Sequence, residues 1–443
     1  MRERVRYCAG GYREKPALIA DALMQVRARQ ARRRTILKPR TRRIFIVAGE
    51  HSGDQLGGKL MAALKEKSDT PILFSGVGGD AMAAQGLHSI FPIADVAVMG
   101  PLAILARLPK LVRRVYQTVD AGLKAEPDAV IIVDSPEFTH PIAKRIRKRR
   151  PLIPIVDYVS PSVWAWRPGR ARKMRPYVDH LLAILPFEPA AHERLGGPPC
   201  TYVGHPLIEK VGWIRGLDTL QLAARLGLAP GRPVLLVLPG SRPTEVRRLM
   251  QPFGETVRLV QDRLGPVEVV IPVVASVRPL IEAGLAGWPL RPHFVEGETD
   301  KFTAFRLATA ALAASGTVTL ELALSGVPMV VGYKVDVLAS GIRFLLKVPS
   351  VVLANLVLEE NAFPEFIQDK CTPEQLADAL LPLLRDGSAE RAKQLAGLGR
   401  IPEKMLLNGT TPSERAAETV LAVLDAGIRK RLEVTPSGRA AQR

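Results

Sequence analysis

The chain has 443 residues, of which 47% are hydrophobic, a length that suits two domains better than one core. This composition excludes a collagen-like or a disordered chain. Of the formal net charge of +19, +11 comes from residues 1–43, where 14 Lys and Arg oppose 3 Asp and Glu. The three cysteines (Cys8, Cys200, Cys371) lie far apart, which argues against a disulfide framework or a cysteine metal site and fits a reducing cytosol.

Residues 1–42 are predicted to form a basic N-terminal extension without fixed structure. They lack the apolar stretch of about 7–15 residues that a signal peptide needs. No window of the chain approaches the ~20 apolar residues of a membrane-spanning helix. Three interpretations are open: a solvated extension (or the product of an upstream start codon), a segment attracted to anionic lipid headgroups, and a nucleic-acid-binding segment.

The first half of the chain predicts a parallel sheet. Apolar runs at residues 43–48, 71–75, 129–133 and 153–159 each end in a turn, and helical patterns lie between them. This alternation predicts helices on both faces of the sheet.

Polar turns follow two of these strands. Residues 49–54 bring Glu50, His51 and Asp54 to the carboxyl end of the first strand, where α/β proteins bind ligands. Asp134 comes directly off another strand, so a base at this position is rigidly held. A plain tight turn is the alternative at 49–54, and an Asp that caps the next helix is the alternative at 134.

Three other segments have two interpretations each. Residues 76–81 match a G-x-G-x-x-A pattern but follow the second strand, which favours a structural or substrate-lining turn over a nicotinamide site. The tryptophans at 164 and 166 pack in the core or border the cleft. Residues 96–115, and more weakly 337–352, combine an apolar face with cations, as in a helix at a membrane interface or in a core helix with a solvated basic side.

The second half predicts another parallel sheet, after a seam near residues 205–215. Its strands are predicted at 234–238, 267–272, 293–295, 310–314 and 327–333. A helix over 372–384 has Thr372 as its N-cap and Pro373 as its first residue. Helical patterning over 413–432 precedes a basic tail.

Two turns of this half predict a phosphate site. Residues 238–242 (Leu-Pro-Gly-Ser-Arg) and 315–321 (Ser-Gly-Thr-Val-Thr-Leu-Glu) each follow an apolar run and open a helix, where backbone N–H groups stabilise phosphate. Arg242 adds a cation, and Glu321 can accept hydrogen bonds from ribose hydroxyls. The pair predicts a nucleotide diphosphate that acts as a leaving group.

The ordered set of motifs resembles that of the bacterial lipid-A-disaccharide synthases, inverting glycosyltransferases of the GT-B type. The resemblance covers roughly residues 43–385; each motif is short, but the ordered set is specific. The matching stretches are Ala48-Gly49-Glu50 with Ser52-Gly53-Asp54, Val98-Met99-Gly100, residues 134–138, residues 160–166, Pro186-Phe187-Glu188, residues 203–206, residues 238–242 with Glu245, residues 314–321, residues 328–333, Asn355, and Pro364-Glu365-Phe366 with Gln368.

The resemblance implies an α/β fold of the GT-B type, with two Rossmann-like domains whose parallel sheets face a central cleft. The expected divisions are the extension at 1–42, an acceptor domain at 43–208, a UDP-sugar donor domain at 209–400, and a C-terminal helix with a basic tail at 401–443. The implied reaction transfers 2,3-diacylglucosamine from UDP to the 6-hydroxyl of 2,3-diacylglucosamine 1-phosphate. No metal and no other cofactor is expected.

The motifs and the resemblance assign roles to individual residues. Asp134 is expected to be the general base, with Glu50 and Asp54 as alternatives. The expected donor-binding residues are Gly240, Ser241, Arg242, Glu245, Ser315, Gly316, Thr317 and Glu321, together with Asn355, Glu365 and Gln368, which rest on the resemblance alone. The expected acceptor-binding residues are Gly49, Ser52, Gly53, Met99, Ser162 and Trp164.

The chain departs from the family pattern at three places. His51 stands where the family usually has a small residue or Thr, and Ala103 stands where it normally has Glu, so the role of that carboxylate does not transfer. The extension at 1–42 has no counterpart in the pattern.

The expected partners are the two acylated sugar substrates and the inner-membrane surface, which implies a cytoplasmic protein peripheral to the inner face of that membrane. No nucleic acid is expected, and a homodimer is left open. Two other functions are weighed. Another UDP-sugar enzyme of this fold, such as an epimerase or a peptidoglycan-type transferase, has no need of the amphipathic segments. A nucleic-acid-binding protein uses the basic arm.

Overall fold

The computed structural model describes residues 41–97, 101–165, 167–334 and 350–434, with the backbone alone at 101–106, 432 and 434. Within these ranges, twelve strands form two six-stranded sheets, and every strand pair runs parallel. The α/β class with two parallel sheets, predicted from the alternation of apolar runs and helical patterns, is confirmed.

The first sheet has the strand order β2-β1-β3-β4-β5-β6. Its strands are β1 (Arg42–Ala48), β2 (Ile72–Val77), β3 (Ala129–Val133), β4 (Ile155–Tyr158), β5 (His180–Ala183) and β6 (Cys200–Tyr202).

The second sheet has the order β12-β11-β10-β7-β8-β9. Its strands are β7 (Val234–Leu238), β8 (Glu268–Val273), β9 (His293–Glu296), β10 (Ala310–Ala313), β11 (Met329–Tyr333) and β12 (Glu365–Ile367).

Helices connect the strands and cover both faces of each sheet. In the first half they are α1 (His51–Lys67), α2 (Asp80–Ala83), α3 (Pro101–Lys124), α4 (Pro136–Arg149), α5 (Gly169–Met174) and α6 (Glu188–Arg194). In the second they are α7 (Val211–Arg215), α8 (Thr219–Leu226), α9 (Pro243–Leu264), α10 (Arg278–Ala283), α11 (Gly297–Leu307), α12 (Val318–Leu324), α13 (Leu353–Leu358), α14 (Pro373–Leu384), α15 (Ala389–Met405) and α16 (Pro412–Val434). The predicted cap of α14 is confirmed, because the Thr372 hydroxyl accepts from the Gln375 amide at 3.4 Å.

Each sheet has one point at which the strand order reverses. In the first sheet the chain builds outwards in both directions from β1 and β3, which pair with Ala48 opposite Val133. In the second the same reversal lies between β7 and β10, with Leu238 opposite Ala313. Because loops that leave adjacent strands at such a point diverge to opposite faces, a crevice opens there, and α/β proteins bind ligands in it.

The two halves are joined by packing at two places. Leu185 belongs to the apolar core of the second half, and Trp164 and Phe187 pack against that core. Helix α16, from the end of the chain, packs on the first half. Its buried residues Val420 and Leu424 lie in the core that includes Leu60 of α1. The C-terminal helix therefore lies on the first sheet, although the rest of the second half separates them in sequence.

Candidate functional site

A pocket of about 570 Å³ lies at the reversal point of the second sheet. It is lined by both turns that the sequence predicts to bind phosphate, since they leave the paired strands β7 and β10 at the same edge. The expected donor residues in its lining are Gly240, Ser241, Arg242, Glu245, Ser315, Gly316, Thr317 and Glu321. Residues that the sequence analysis missed are Pro272, Val273, Val274, Gly297, Glu298 and Lys301.

The first turn is held by a carboxylate behind it. Gly240 has φ +109°, and a side chain there would meet Glu245, whose carboxylate oxygen would lie 2.5 Å from the added Cβ. Glu245 is buried, and it accepts hydrogen bonds from the Arg242 amide at 3.3 Å and from the Arg242 guanidinium at 3.2 Å. Glu245 therefore orients the turn, and the Arg242 side chain stays two-thirds exposed at the pocket.

The second turn exposes backbone donors. Gly316 has φ +140°, a conformation that residues with a side chain rarely adopt. Among the described residues, the amides of Gly316 and Thr317 donate to no backbone or side-chain group, and Thr317 is the N-cap of α12. Amides of this kind at a helix start are ready donors for an anion.

Two of the expected donor residues, Glu365 and Asn355, lie behind this turn and support a third, Ser315. The Ser315 hydroxyl donates to the carbonyl of Val351 at 2.8 Å. The Val351 amide in turn donates to Glu365 at 2.9 Å. The buried Asn355 holds the same segment, because its amide donates to the Ser350 hydroxyl at 3.1 Å and to the Phe363 carbonyl at 2.9 Å. The described contacts of Glu365 and Asn355 are thus with protein groups that support Ser315.

Glu321 has a cationic partner in the pocket. The Lys301 ammonium lies 3.0 Å from both carboxylate oxygens of Glu321. The two residues belong to α11 and α12, and both line the pocket. Gln368, the last of the expected donor residues, has φ +56° and lies at the end of β12, outside the pocket lining.

In the first sheet, the two polar turns meet at the reversal point. Asp134 and Ser135 both have left-handed backbone conformations, with φ of +51° and +44°. A side chain at Gly49 would bring its Cβ within 2.6 Å of Ser135, so Gly49 is required for the contact between the turns. Asp134 does not cap the next helix; one of its carboxylate oxygens accepts from the Ser135 amide at 2.7 Å and the other from the Ser52 hydroxyl at 3.4 Å.

Glu50 lies where the two halves of the chain face each other. Burial raises the pKa of its carboxyl group above the ordinary value, and the charge of Asp134 raises it further. The positive charge of Arg242 acts in the opposite direction. Since Arg242 belongs to the second half, the Glu50 carboxylate lies within electrostatic reach of the turn at 238–242.

Asp54 has a different environment from Glu50. It is buried, and its carboxylate accepts three backbone hydrogen bonds, from Gly79 at 2.7 Å, Ala81 at 3.0 Å and Met82 at 3.1 Å. These amides begin the short helix α2. Both oxygens are therefore engaged by the turn at 76–81 and the start of α2, which fits the structural interpretation of that turn.

Trp164 is hydrogen-bonded to the buried Glu188 where the two halves pack together. Its indole N–H donates to Glu188 at 3.2 Å, and its ring packs edge-on against Phe187 at 5.1 Å between centroids. Glu188 also accepts from the amides of Ile184 and Leu185. Burial raises the pKa of Glu188 to about 7, against the effect of these hydrogen bonds. The polar atom of Trp164 is thus occupied by protein, whereas Ser162 is exposed.

Several expectations fall outside the described residues. Met99, Trp166 and most of 337–352 lie there, as do the side chains of residues 101–106, which include Ala103.

Gly53 is buried in α1 against β3, with the Val133 carbonyl 3.2 Å from the position of an added Cβ. Within the part of the chain that is described, no group of three or more His, Cys, Asp or Glu residues could hold a metal ion.

The chain is similar in sequence to one enzyme family over most of its length. The family model for lipid-A-disaccharide synthetase matches residues 44–419. A lipid-A-disaccharide synthase from Rhodopseudomonas palustris (strain HaA2) is 53% identical over 384 residues, 86% of this chain and 96% of that protein. The enzyme of the same name from Nitrobacter hamburgensis is 52% identical over 387 residues, with 87% and 96% covered.

Solved structures resemble this one in fold. A UDP-GlcNAc 2-epimerase from Neisseria meningitidis bound to UDP-GlcNAc has a TM-score of 0.54 at 13% identity, covering 87% of this chain and all of its own. A glycosyltransferase from Rickettsia africae has a TM-score of 0.55 at 10% identity, with 88% and 99% covered. At such identities the likeness shows the fold alone.

The contacts of Asp54 predict a loss of stability when its charge is removed. Asp54→Asn replaces one acceptor oxygen by an amide that faces backbone N–H groups, so it should cost about 1–3 kcal/mol. The melting temperature should fall by about 3–8 °C, measured by calorimetry. Asp80 is an exposed carboxylate on α2, and Asp80→Asn should keep the melting temperature within about 1 °C of the wild type. An unchanged melting temperature in Asp54→Asn would show that the three hydrogen bonds do not stabilise the fold.

The buried Glu188 predicts a pH-dependent stability. Its folded pKa of about 7 lies above the ordinary value of 4.5, so its contribution is complete below pH 4.5 and is lost as the pH rises through 7. Glu188→Gln should abolish this dependence. Between pH 5 and pH 8 its free energy of unfolding should fall by about 2–3 kcal/mol less than that of the wild type, measured by urea titration. Glu193→Gln, exposed on the same helix, should follow the wild type; a Glu188→Gln curve parallel to the wild type would contradict the assignment.

Proposed function

Because the chain belongs to the lipid-A-disaccharide synthase family, we propose that its second sheet binds the UDP-sugar donor and its first sheet the acylated acceptor. The activity is the transfer of 2,3-diacylglucosamine from UDP to the 6-hydroxyl of 2,3-diacylglucosamine 1-phosphate, which forms the lipid A disaccharide. One observation supports the assignment of the two halves. The turns at 240–242 and 315–317 line one pocket, and the positive charge of Arg242 in that pocket lowers the pKa of Glu50 in the first half.

The diphosphate of the donor lies between the two turns in this proposal. The amides of Gly316 and Thr317 and the guanidinium of Arg242 supply donors and positive charge to its oxygens, and the helix dipoles of α9 and α12 add to the field. Negative charge grows on the diphosphate as the bond to the sugar breaks. Donors that are already fixed in place stabilise this charge more in the transition state than in the bound donor, which accelerates the reaction.

Asp134 acts as the general base in the proposed mechanism. The acceptor hydroxyl gives its proton to the Asp134 carboxylate as its oxygen forms a bond to the anomeric carbon. The bond between that carbon and the diphosphate oxygen breaks on the opposite side, so the configuration inverts and UDP leaves. The left-handed turn and the hydrogen bonds from the Ser135 amide and the Ser52 hydroxyl fix the position of the base. Asp54 is left out because it is only 1% exposed, whereas Asp134 is partly exposed.

Helix α3 supports contact with the inner-membrane surface. Leu108, Val112 and Tyr116 lie four residues apart and are each close to half exposed, while Val115 and Val119 are buried on the other face. Arg107 and Arg113 are exposed beside this stripe. An apolar stripe flanked by cations suits the surface of an anionic bilayer, in which both acylated substrates reside. Within the described residues, no helix is long and apolar enough to cross a bilayer.

Replacing the proposed base should reduce turnover far more than it affects the fold. Asp134→Asn keeps the size of the side chain but cannot take the proton, so UDP release in the presence of both acylated sugars should slow by at least about 100-fold. Asp80→Asn serves as the matched control, because this exposed carboxylate begins the helix that follows the neighbouring strand β2. Turnover close to wild type in Asp134→Asn would remove Asp134 from the role of base.

Charges placed in the α3 stripe should weaken membrane binding. Leu108→Glu with Val112→Glu removes two apolar side chains from the proposed interface and adds anions beside anionic lipid. The partition coefficient of the protein onto vesicles should therefore fall at least about 10-fold. Co-sedimentation with phosphatidylglycerol-containing vesicles measures this. Leu220→Glu, at an 80% exposed position on α8, is the control and should bind as the wild type does. Unaltered co-sedimentation of the double variant would refute the interface.

A further inference from the structure

We propose that Lys301 determines the preference of the nucleotide pocket for a ribonucleotide, by holding Glu321 in the orientation that accepts the two ribose hydroxyls. This inference rests on the proposed function, in which Glu321 receives the ribose of UDP. Lys301 is a positioning residue in this role, since it acts on the nucleotide through Glu321.

The geometry of the pair is symmetrical. The Lys301 ammonium lies 3.0 Å from each oxygen of Glu321, so it fixes the plane of the carboxylate as well as its position. Both side chains are largely buried, with 28% of Lys301 and 17% of Glu321 exposed. The ammonium also lies 4.5 Å from the ring centroid of the buried Phe302, a cation–π contact that restricts its movement.

The chemistry of a carboxylate matches two adjacent hydroxyl groups. An ionised carboxylate has about four acceptor positions, two on each oxygen. Lys301 occupies one position on each oxygen, which leaves one on each for a donor from the pocket. Vicinal hydroxyls present two donors at a similar separation, whereas a 2′-deoxyribose presents only one. A carboxylate that is held by both oxygens therefore distinguishes the two sugars better than one that can rotate.

The charge of Glu321 is a second reason why a cation is needed beside it. Glu321 lies in the same pocket as the turns that are proposed to hold a diphosphate, so an unpaired carboxylate there would repel the nucleotide. Lys301 neutralises that charge without competing for the phosphate, because Glu321 holds its ammonium with both oxygens. The alternative is that Lys301 binds the diphosphate directly and has no influence on the sugar.

Calorimetric titration with two ligands separates these alternatives. UDP and 2′-deoxy-UDP are each titrated into the full-length wild type and into Lys301→Met, Glu321→Gln, the double variant, Arg242→Ala and Arg225→Met. Arg225 forms an exposed ion pair with Asp300, the residue before Lys301 on α11, so Arg225→Met is a matched control outside the pocket.

The wild type and Arg225→Met should bind UDP at least about 10-fold more tightly than 2′-deoxy-UDP, the scale of one hydrogen bond to a charged group. Lys301→Met should reduce that ratio to about 3 or less. Glu321→Gln should do the same, and the double variant should show no further decrease, because the two residues act as a unit. Arg242→Ala should weaken both ligands by a similar factor and keep the ratio.

Two results would overturn the inference while leaving the donor site intact. Lys301→Met could weaken both nucleotides equally, which is the behaviour of a phosphate ligand, or it could leave the ratio at the wild-type value. A different result would overturn the proposed function and this inference with it: UDP affinity unaffected by Arg242→Ala, or absent in the wild type. Far-UV circular dichroism of each variant verifies that a change in ratio does not come from unfolding.

Discussion

The structure depends on the pairing of parallel strands at the two points where the strand order reverses. With Leu238 opposite Ala313, the turns that follow β7 and β10 leave the sheet at the same level and diverge around one pocket. With Ala48 opposite Val133, the turns with Glu50 and Asp134 do the same in the first sheet. The second sheet therefore has a pocket at its reversal point, and the positive charge of Arg242 in that pocket reaches Glu50 of the first half.

Much of the architecture supports these turns from behind. Glu245 sits behind Gly240, and the segment at 350–353, held by Glu365 and Asn355, accepts the hydroxyl of Ser315. Such contacts fix the two turns in place, so under the proposed function little reorganisation is needed when charge develops on the diphosphate.

Long apolar strands and glycine-bearing turns could be predicted from the sequence, and tertiary partners could not. Strands β3 and β7 are apolar throughout and buried, so their bounds agree with prediction to the residue. Strands β5, β6 and β12 were missed because they have only three or four residues and carry no periodicity. Asp54 was weighed as a base because polar residues surround it in sequence, yet the helix directs it towards the Gly79 turn. Lys301 gave no signal, because its partner is twenty residues away on another helix.

The backbone amides of Gly316 and Thr317, together with the Arg242 guanidinium, are proposed to hold the diphosphate of the donor. The decisive experiment is a crystal structure of the complex with UDP. The diphosphate should lie between residues 240–242 and 315–317, with its oxygens within about 3 Å of the Gly316 and Thr317 amides. UDP bound outside this pocket, or inside it with the diphosphate directed away from both turns, would refute this assignment.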